Sequence, residues 1–279
     1  MIASDMPCRE SAIIGTPEPS DGGGDRPGEE KLTQSRNAEG GRGVALVTGA
    51  GQRLGRELAL GIGRAGYDVA VHFRSRRENA EETARLLGKV GARAASFEAD
   101  LSRDNAPLSL VEEVLTFFGR LDVLVHAASP WAKRAVSDVR VEEWDAAFDV
   151  GPKAAFFLAQ AAAPHLSKTR GSILLISDVA AGKAWSNHVP HSAAKAAIDA
   201  LVRNLALALG PDVRVNGLAP GIVLPPEDLP AETVERLVAK TPLKRRVAVS
   251  DLVEMAVAVA TNRSMTGHVV AVDAGRSCV

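Results

Sequence analysis

Cysteine is scarce in this chain: Cys8 and Cys278, at opposite ends, are the only two among 279 residues. That excludes a disulfide scaffold and a Cys-ligated metal site, and it points to a reducing compartment, the cytoplasm. No apolar run approaches the roughly 18 residues that a membrane-spanning helix needs. The longest near the N-terminus is Ala12-Ile13-Ile14, too short for a signal peptide. Neither sign of charge dominates, with 33 Lys/Arg against 34 Asp/Glu. A nucleic-acid footprint is therefore not expected, and neither is a membrane partner. Aromatic residues make up only 4%, and tyrosine is reduced to Tyr67 alone. The partner left by these exclusions is a small molecule.

The charge that is present is unevenly placed. Residues 1–41 hold Arg9, Arg26, Lys31 and Arg36 against eight Asp/Glu, leaving the remainder mildly basic. That remainder suits an anionic small ligand. The first 41 residues also carry Gly22-Gly23-Gly24, four prolines and few large apolar residues. Such a stretch has no core of its own and is expected to be a disordered extension.

From Val44 onward, short β-branched runs alternate with Ala/Leu/Arg-rich segments. Val44–Val47 reads as a buried strand, and Leu54, Leu58 and Ile62 recur at helical spacing behind it. Further strands are expected at 67–73, 93–98, 121–126, 172–177, 213–216 and 268–272. Helices are expected at 77–89, 108–118, 141–149, 153–168 and 190–209, with shorter ones near 231–240 and 250–260. Strict strand–helix alternation is the pattern of a parallel sheet covered on both faces, and right-handed crossovers make it doubly wound. The expectation is a single α/β domain over 42–279, a seven-stranded parallel sheet with helices on both faces.

Three places in that pattern carry chemistry. The first strand runs into Thr48-Gly49-Ala50-Gly51-Gln52-Arg53-Leu54-Gly55, and a helix begins at once. A glycine-rich strand-to-helix turn lets backbone N–H groups approach a pyrophosphate. The second strand ends in Phe73-Arg74-Ser75, where an NAD site would place Asp or Glu for the ribose 2′-hydroxyl. Arg74 and Ser75, with Arg53 nearby in the first turn, favour a 2′-phosphate and hence NADPH. Finally, His191 and Lys195 stand one helical turn apart, and Asp178 lies just past the fifth strand. A carboxylate, an imidazole and an ammonium can converge there, although the same spacing also fits an ordinary surface His–Lys pair.

These residues and four further motifs resemble the short-chain dehydrogenase/reductase superfamily. The motifs are Thr48-Gly49 followed by Gly55, Ala99-Asp100-Leu101, Arg214 through Gly221, and Thr266-Gly267-His268 leading to Asp273-Ala274-Gly275. Within it the chain is most similar to pteridine reductases and dihydromonapterin reductases. These share Arg at position 53, the Arg-Ser pair at 74–75, and Asp thirteen residues before the catalytic position. The resemblance implies a Rossmann fold, a homotetramer or homodimer, and cofactor contacts from Gly49, Arg53, Leu54, Gly55, Arg74, Ser75, Asp100, Leu101, Ala127, Lys195, Pro220 and Gly221. It implies a substrate pocket at Ser129 and Trp131, with Trp131 stacking on a pterin-like ring. Asp178, His191 and Lys195 are the implied catalytic residues, and no metal is expected.

The departures from that family fall on the acid–base apparatus. Its catalytic Tyr-x-x-x-Lys is His191-x-x-x-Lys195 here, and Tyr67 is too far away in sequence to substitute. Its Asn-Asn-Ala after the fourth strand reads His126-Ala127-Ala128, and the helical Asn of its proton relay aligns with Gly151. A phenol is protonated at neutral pH, whereas an ordinary imidazole titrates near ~6.5 and must act as imidazolium. Lys195 would disfavour that form and Asp178 would favour it. The implied activity is NADPH-dependent hydride transfer to a C=N or C=O bond of a small, pterin-like substrate. The alternatives are a catalytically silent NADP-binding protein and a carbonyl reductase unrelated to pterins.

Overall fold

The computed structural model describes residues 41–226 and 229–279. The expected disordered extension lies outside the described residues, apart from its last position. Residues Arg42–Val279 form one compact unit.

Seven strands make one parallel sheet: β1 (Gly43–Thr48), β2 (Tyr67–Phe73), β3 (Ala94–Glu98), β4 (Val123–His126), β5 (Ser172–Ile176), β6 (Arg214–Pro220) and β7 (Val269–Val272). Their order across the sheet is β3-β2-β1-β4-β5-β6-β7. The chain therefore winds outward from β1 in one direction, then returns to β4 and winds in the other. At that reversal, the loops after β1 and β4 diverge and leave a crevice at the carboxyl edge.

The helices are α1 (Arg53–Arg64), α2 (Arg77–Lys89), α3 (Ala106–Phe118), α4 (Val141–Phe148), α5 (Ala154–Thr169), α6 (Val189–Leu209), α7 (Ala231–Ala239) and α8 (Val249–Thr261). Strand alternation divides them between two faces. Val44 and Leu46 of β1 point to a core shared with Leu110 of α3, Leu158 of α5 and Val202 of α6. Ala45 and Val47 point to the opposite core, shared with Leu58 of α1, Leu87 of α2 and Leu252 of α8. Both faces are covered, which explains why the strands read as continuous apolar runs.

Two boundaries differ from the sequence expectation. β6 does not stop at Asn216 but continues through Gly217 to Pro220, paired with both β5 and β7. Its glycine sits in a tight spot: a Cβ at Gly217 would lie 3.0 Å from the Val269 side chain and 3.1 Å from that of Val202, which would have to give way by a few tenths of an ångström. The proline occupies the strand's last position, where its missing N–H costs little. The helices expected at 141–149 and 153–168 are joined by a π-helical turn, Asp149–Lys153, which contains Pro152 and bends at Gly151. No described helix is long and apolar enough to cross a membrane.

Candidate active site

The glycine turn after β1 is held in place from two sides. Gly49 has a left-handed φ of 66°, and a Cβ there would meet the Ala128 backbone at 3.0 Å. At Gly55 a Cβ would fall 2.1 Å from the Gly49 carbonyl oxygen, so α1 begins in contact with the turn it follows. Gln52 precedes α1 without a side-chain cap, and no acidic residue occupies its first turn. The leading N–H groups are thus left for an anion.

Two buried histidines brace this edge, and sequence reasoning assigned a role to neither. His72, at 2% exposure, accepts from the Gly49 N–H at Nδ1 (3.1 Å) and donates from Nε2 to the Ala99 carbonyl (3.0 Å). His126 accepts from the Thr48 hydroxyl at Nδ1 (3.0 Å) and donates from Nε2 to the Val150 carbonyl in the π turn (3.0 Å). The Thr48 oxygen in turn accepts from the Ala127 and Ala128 N–H groups at 3.0 and 3.1 Å. Burial holds His72 down to about 4. Burial and the nearby Lys195 charge hold His126 down to about 3. Both rings are neutral at pH 7. The available signal was a histidine near the carboxyl end of each of two otherwise apolar strands.

At the end of β2, Arg74, Ser75 and Arg76 are exposed, and Arg76 donates to the Gln52 side chain at 2.8 Å. Asp100 accepts from the Ser102 hydroxyl at 2.7 Å, and that bond holds its carboxyl below the usual range, with help from the Arg74 and Arg103 charges. Leu101 is buried beside it. Arg53 adopts a left-handed φ of 49° and donates to the Leu224 carbonyl, in the loop beyond β6. Pro220 and Gly221 close β6, and the Gly221 N–H donates to Val272 at 3.0 Å.

The structure brings Asp178, His191 and Lys195 together. Asp178 follows β5, where its carboxylate accepts from the Ala180 N–H at 2.8 Å. His191 projects from the first turns of α6, 7% exposed, with Nε2 at 3.5 Å from Asp178 Oδ2. That spacing is within ion-pair reach but long for a hydrogen bond. One turn further, Lys195 is equally buried and donates to the Ile176 carbonyl at 2.7 Å. Burial lowers its ammonium to about 8 against the opposing pull of Asp178 and Asp199. Asp199 accepts from the buried Ser177 hydroxyl, and burial raises its carboxyl. A cavity of about 20 Å³ adjoins His191 between Arg134, Glu143 and Pro190, enough for one water.

Trp131 stands over this group, its ring centroid 4.7 Å from that of His191 and 4.7 Å from that of His188. Ser129, exposed beside it, bonds only the neighbouring Pro130 carbonyl. Trp185 completes the rings, 5.6 Å from His188 and 6.4 Å from Trp131. The sequence analysis missed Trp185 and His188. Their signal was the spacing of Trp185, His188 and His191, three residues apart on the approach to Lys195.

The sequence model of the family described as Enoyl-(Acyl carrier protein) reductase matches residues 49–277. The chain belongs to the short-chain dehydrogenase/reductase superfamily of oxidoreductases. It is 35% identical over 180 residues to a hydroxynaphthalene reductase-like protein from Metarhizium robertsii, covering 64% of this chain and 67% of that protein. Among solved structures it is similar to the FolM alternative dihydrofolate reductase 1 from Brucella canis in complex with NADP, with a TM-score of 0.80 and 30% identity over 85% of this chain and 94% of that one. It is also similar to the angucycline C-6 ketoreductase LanV with bound NADP, with a TM-score of 0.80 and 27% identity over 85% and 96% of the two chains.

Proposed function

We propose that this chain is an NADPH-dependent reductase acting on a C=N or C=O bond in a small planar substrate, with Asp178, His191 and Lys195 handling the proton. The observation that carries this reading is the convergence of those three side chains at the carboxyl edge of the sheet, beside an uncapped helix N-terminus.

The residues present fit the cofactor that the Brucella canis reductase and the angucycline ketoreductase hold. The free N–H groups of α1, with Gly49, Leu54 and Gly55, suit a pyrophosphate. Arg74 and Ser75, with no acidic residue at 74–76, suit a ribose 2′-phosphate. Because Arg53 reaches Leu224 instead, Arg74 is the main cation for that phosphate. Asp100, Leu101, Ala127, Pro220 and Gly221 complete the bed, and Lys195 carries its charge at the floor of the site.

When bound, the reduced nicotinamide supplies the hydride. His191 is the proposed proton donor, its Nε2 facing Asp178 Oδ2 at 3.5 Å. The Lys195 ammonium is directed to the Ile176 carbonyl, whereas Asp178 is in direct reach of the imidazole. The adjoining cavity offers a water beside His191, so Asp178 and that water form a second proton route. Trp131 covers the substrate's ring face.

Two substrate classes follow. A pterin-like ring fits the Arg53, Arg74-Ser75 and Asp178 pattern, and an aromatic ketone fits the hydroxynaphthalene reductase-like relative. NADPH oxidation followed on dihydropterins, folates, quinones and hydroxynaphthalenones separates them. No turnover across that panel by protein that binds NADPH would replace the reductase reading with a silent cofactor-binding one. We place the protein in the cytoplasm as a homotetramer or homodimer joined through α5 and α6, which leave Phe156, Phe157 and Leu207 exposed.

A further inference from the structure

Four buried side-chain nitrogen or oxygen atoms among the described residues have no hydrogen-bond partner, and two of them belong to this site: His191 Nε2 and Arg276 Nε. Native proteins leave few such groups unsatisfied, and a cluster of them marks a place built for something else. Arg276 is the unexpected member. It stands in the C-terminal turn, 85 positions after His191 in sequence, and no motif pointed to it.

The turn that carries Arg276 is firmly held. Asp273 accepts from the Gly275 N–H at 2.9 Å and from the Ser277 N–H at 2.6 Å. Lys183, in the loop that leads to Trp185, donates to the Arg276 carbonyl at 3.1 Å. Gly275 takes a left-handed φ of 82°, and a Cβ there would strike Pro242 at 2.6 Å. From this turn the guanidinium lies over the indole of Trp185, 5.0 Å from its centroid. That stack fixes the plane of the fork beside the rings of Trp131 and His188. The acids that face Arg276 are Asp178 and Asp273. Asp273 accepts from the Gly275 and Ser277 N–H groups and Asp178 from that of Ala180, and among the described residues neither is within ion-pair distance of Arg276.

We propose that Arg276, set in place by Trp185, is the specificity anchor of the substrate site, and that it selects a planar ring bearing an ionised oxygen, as a phenolate, enolate or carboxylate. The rings of Trp131, Trp185 and His188 supply the aromatic walls, with Trp131 and Trp185 at 78° to one another, so that a planar ring lies on one face and meets the edge of the next. Arg276 supplies the positive charge at its rim, with Lys183 behind it. The proposal rests on the reductase reading above and deepens it by naming the substrate class.

Binding in the presence of saturating NADP⁺, where nothing turns over, tests it by calorimetry. The probes are 2-naphthoate and its uncharged analogue 2-naphthamide, which share one ring system. The expected result is at least tenfold tighter binding of 2-naphthoate by the parent. Arg276→Gln should bring the two probes to parity, and Arg276→Lys should restore part of the gap, because it restores charge without the stacked fork. Trp185→Leu should shrink the gap as well, by releasing the guanidinium from its platform. NADPH affinity, measured in the same samples, should not change in any of these variants. Parity in the parent, no binding of either probe, or an anion preference that survives Arg276→Gln overturns the proposal. Failure of the parent to bind NADPH overturns the reductase reading instead, so the two failures are distinguishable.

Discussion

Acid should destabilise this protein through two particular side chains. In the folded state His72 and His126 are neutral, held down to about 4 and about 3 from an ordinary value of 6.5. The bonding explains why they refuse a proton. Each gives its Nε2–H to a carbonyl, so a second proton must go on Nδ1. For His72 that nitrogen already faces the Gly49 N–H. For His126 it faces a Thr48 hydroxyl whose two lone pairs are taken by Ala127 and Ala128. The unfolded chain takes these protons below about pH 6.5, while the native state does not. Stability from this source is therefore complete above that pH and lost as pH falls toward the folded values. The slope is about 1.4 kcal/mol per pH unit for each ring, so the pair costs about 5 kcal/mol between pH 7.5 and 4.5. That is comparable to the whole stability of an ordinary domain.

Urea unfolding of the cofactor-free protein, followed by tryptophan fluorescence from pH 7.5 to 4.5, measures the effect. His126→Asn, which installs the residue usual in the superfamily, keeps an acceptor for Thr48 and removes the titrating group. It should be less stable than the parent at pH 7.5 by about 1–3 kcal/mol for the orphaned Val150 carbonyl and lost packing. The deficit should close, or reverse, by pH 4.5. His72→Gln should behave similarly. If parent and variants lose stability in parallel over the whole range, the acid sensitivity comes from carboxylates elsewhere and the reasoning is wrong.

Three further outcomes are expected. NADPH should bind at least tenfold more tightly than NADH, and Arg74→Ala should erase most of that difference in a calorimetric comparison; an unchanged ratio removes Arg74 from the 2′-phosphate. His191→Gln should lower reductive turnover ~10²–10⁴-fold with NADPH affinity preserved, whereas His191→Tyr should keep activity. If His191→Gln turns over normally while Asp178→Asn does not, the carboxylate and its water carry the proton. Sedimentation at micromolar concentration should show a tetramer or dimer that Leu207→Glu on α6 weakens; a monomeric parent refutes that assembly.

The sheet was legible because its central strands β1, β4 and β5 are buried on both faces, so they appear as apolar runs whatever their neighbours are. The end of β6 was hidden for a physical reason. Gly217 and Pro220 look like breakers, yet one fits the close approach of Val269 and Val202 and the other sits at a terminus. Arg53 was hidden differently. The turn imposes a left-handed conformation on it, at a cost of ~1–2 kcal/mol for a residue with a Cβ, and its side chain donates to the Leu224 carbonyl. Local composition suggested the ligand, but backbone geometry chose the direction. Trp185 and Arg276 meet the site only through tertiary packing, which no spacing rule along the chain encodes.

The two departures that looked like losses in the sequence are linked in three dimensions. His126 stands where the superfamily places Asn after the fourth strand, and Gly151 stands where it places the relay Asn. In the structure His126 donates to the carbonyl of Val150, the residue before Gly151, inside the π turn. Gly151 sits there at φ −83° and ψ −107°, outside helical geometry, and it is buried. A ring long enough to span from β4 to that turn, and a turn residue able to bend toward it, form one brace. Lys195 lies close enough for its charge to act on the His126 ring, which must stay neutral beside it. The floor of the site thus holds an ammonium and two neutral histidines with every ring nitrogen engaged. His191 differs from both in having its Nε2 unpartnered, with a carboxylate in reach. Of the three, it is the one to which the proposed proton role falls.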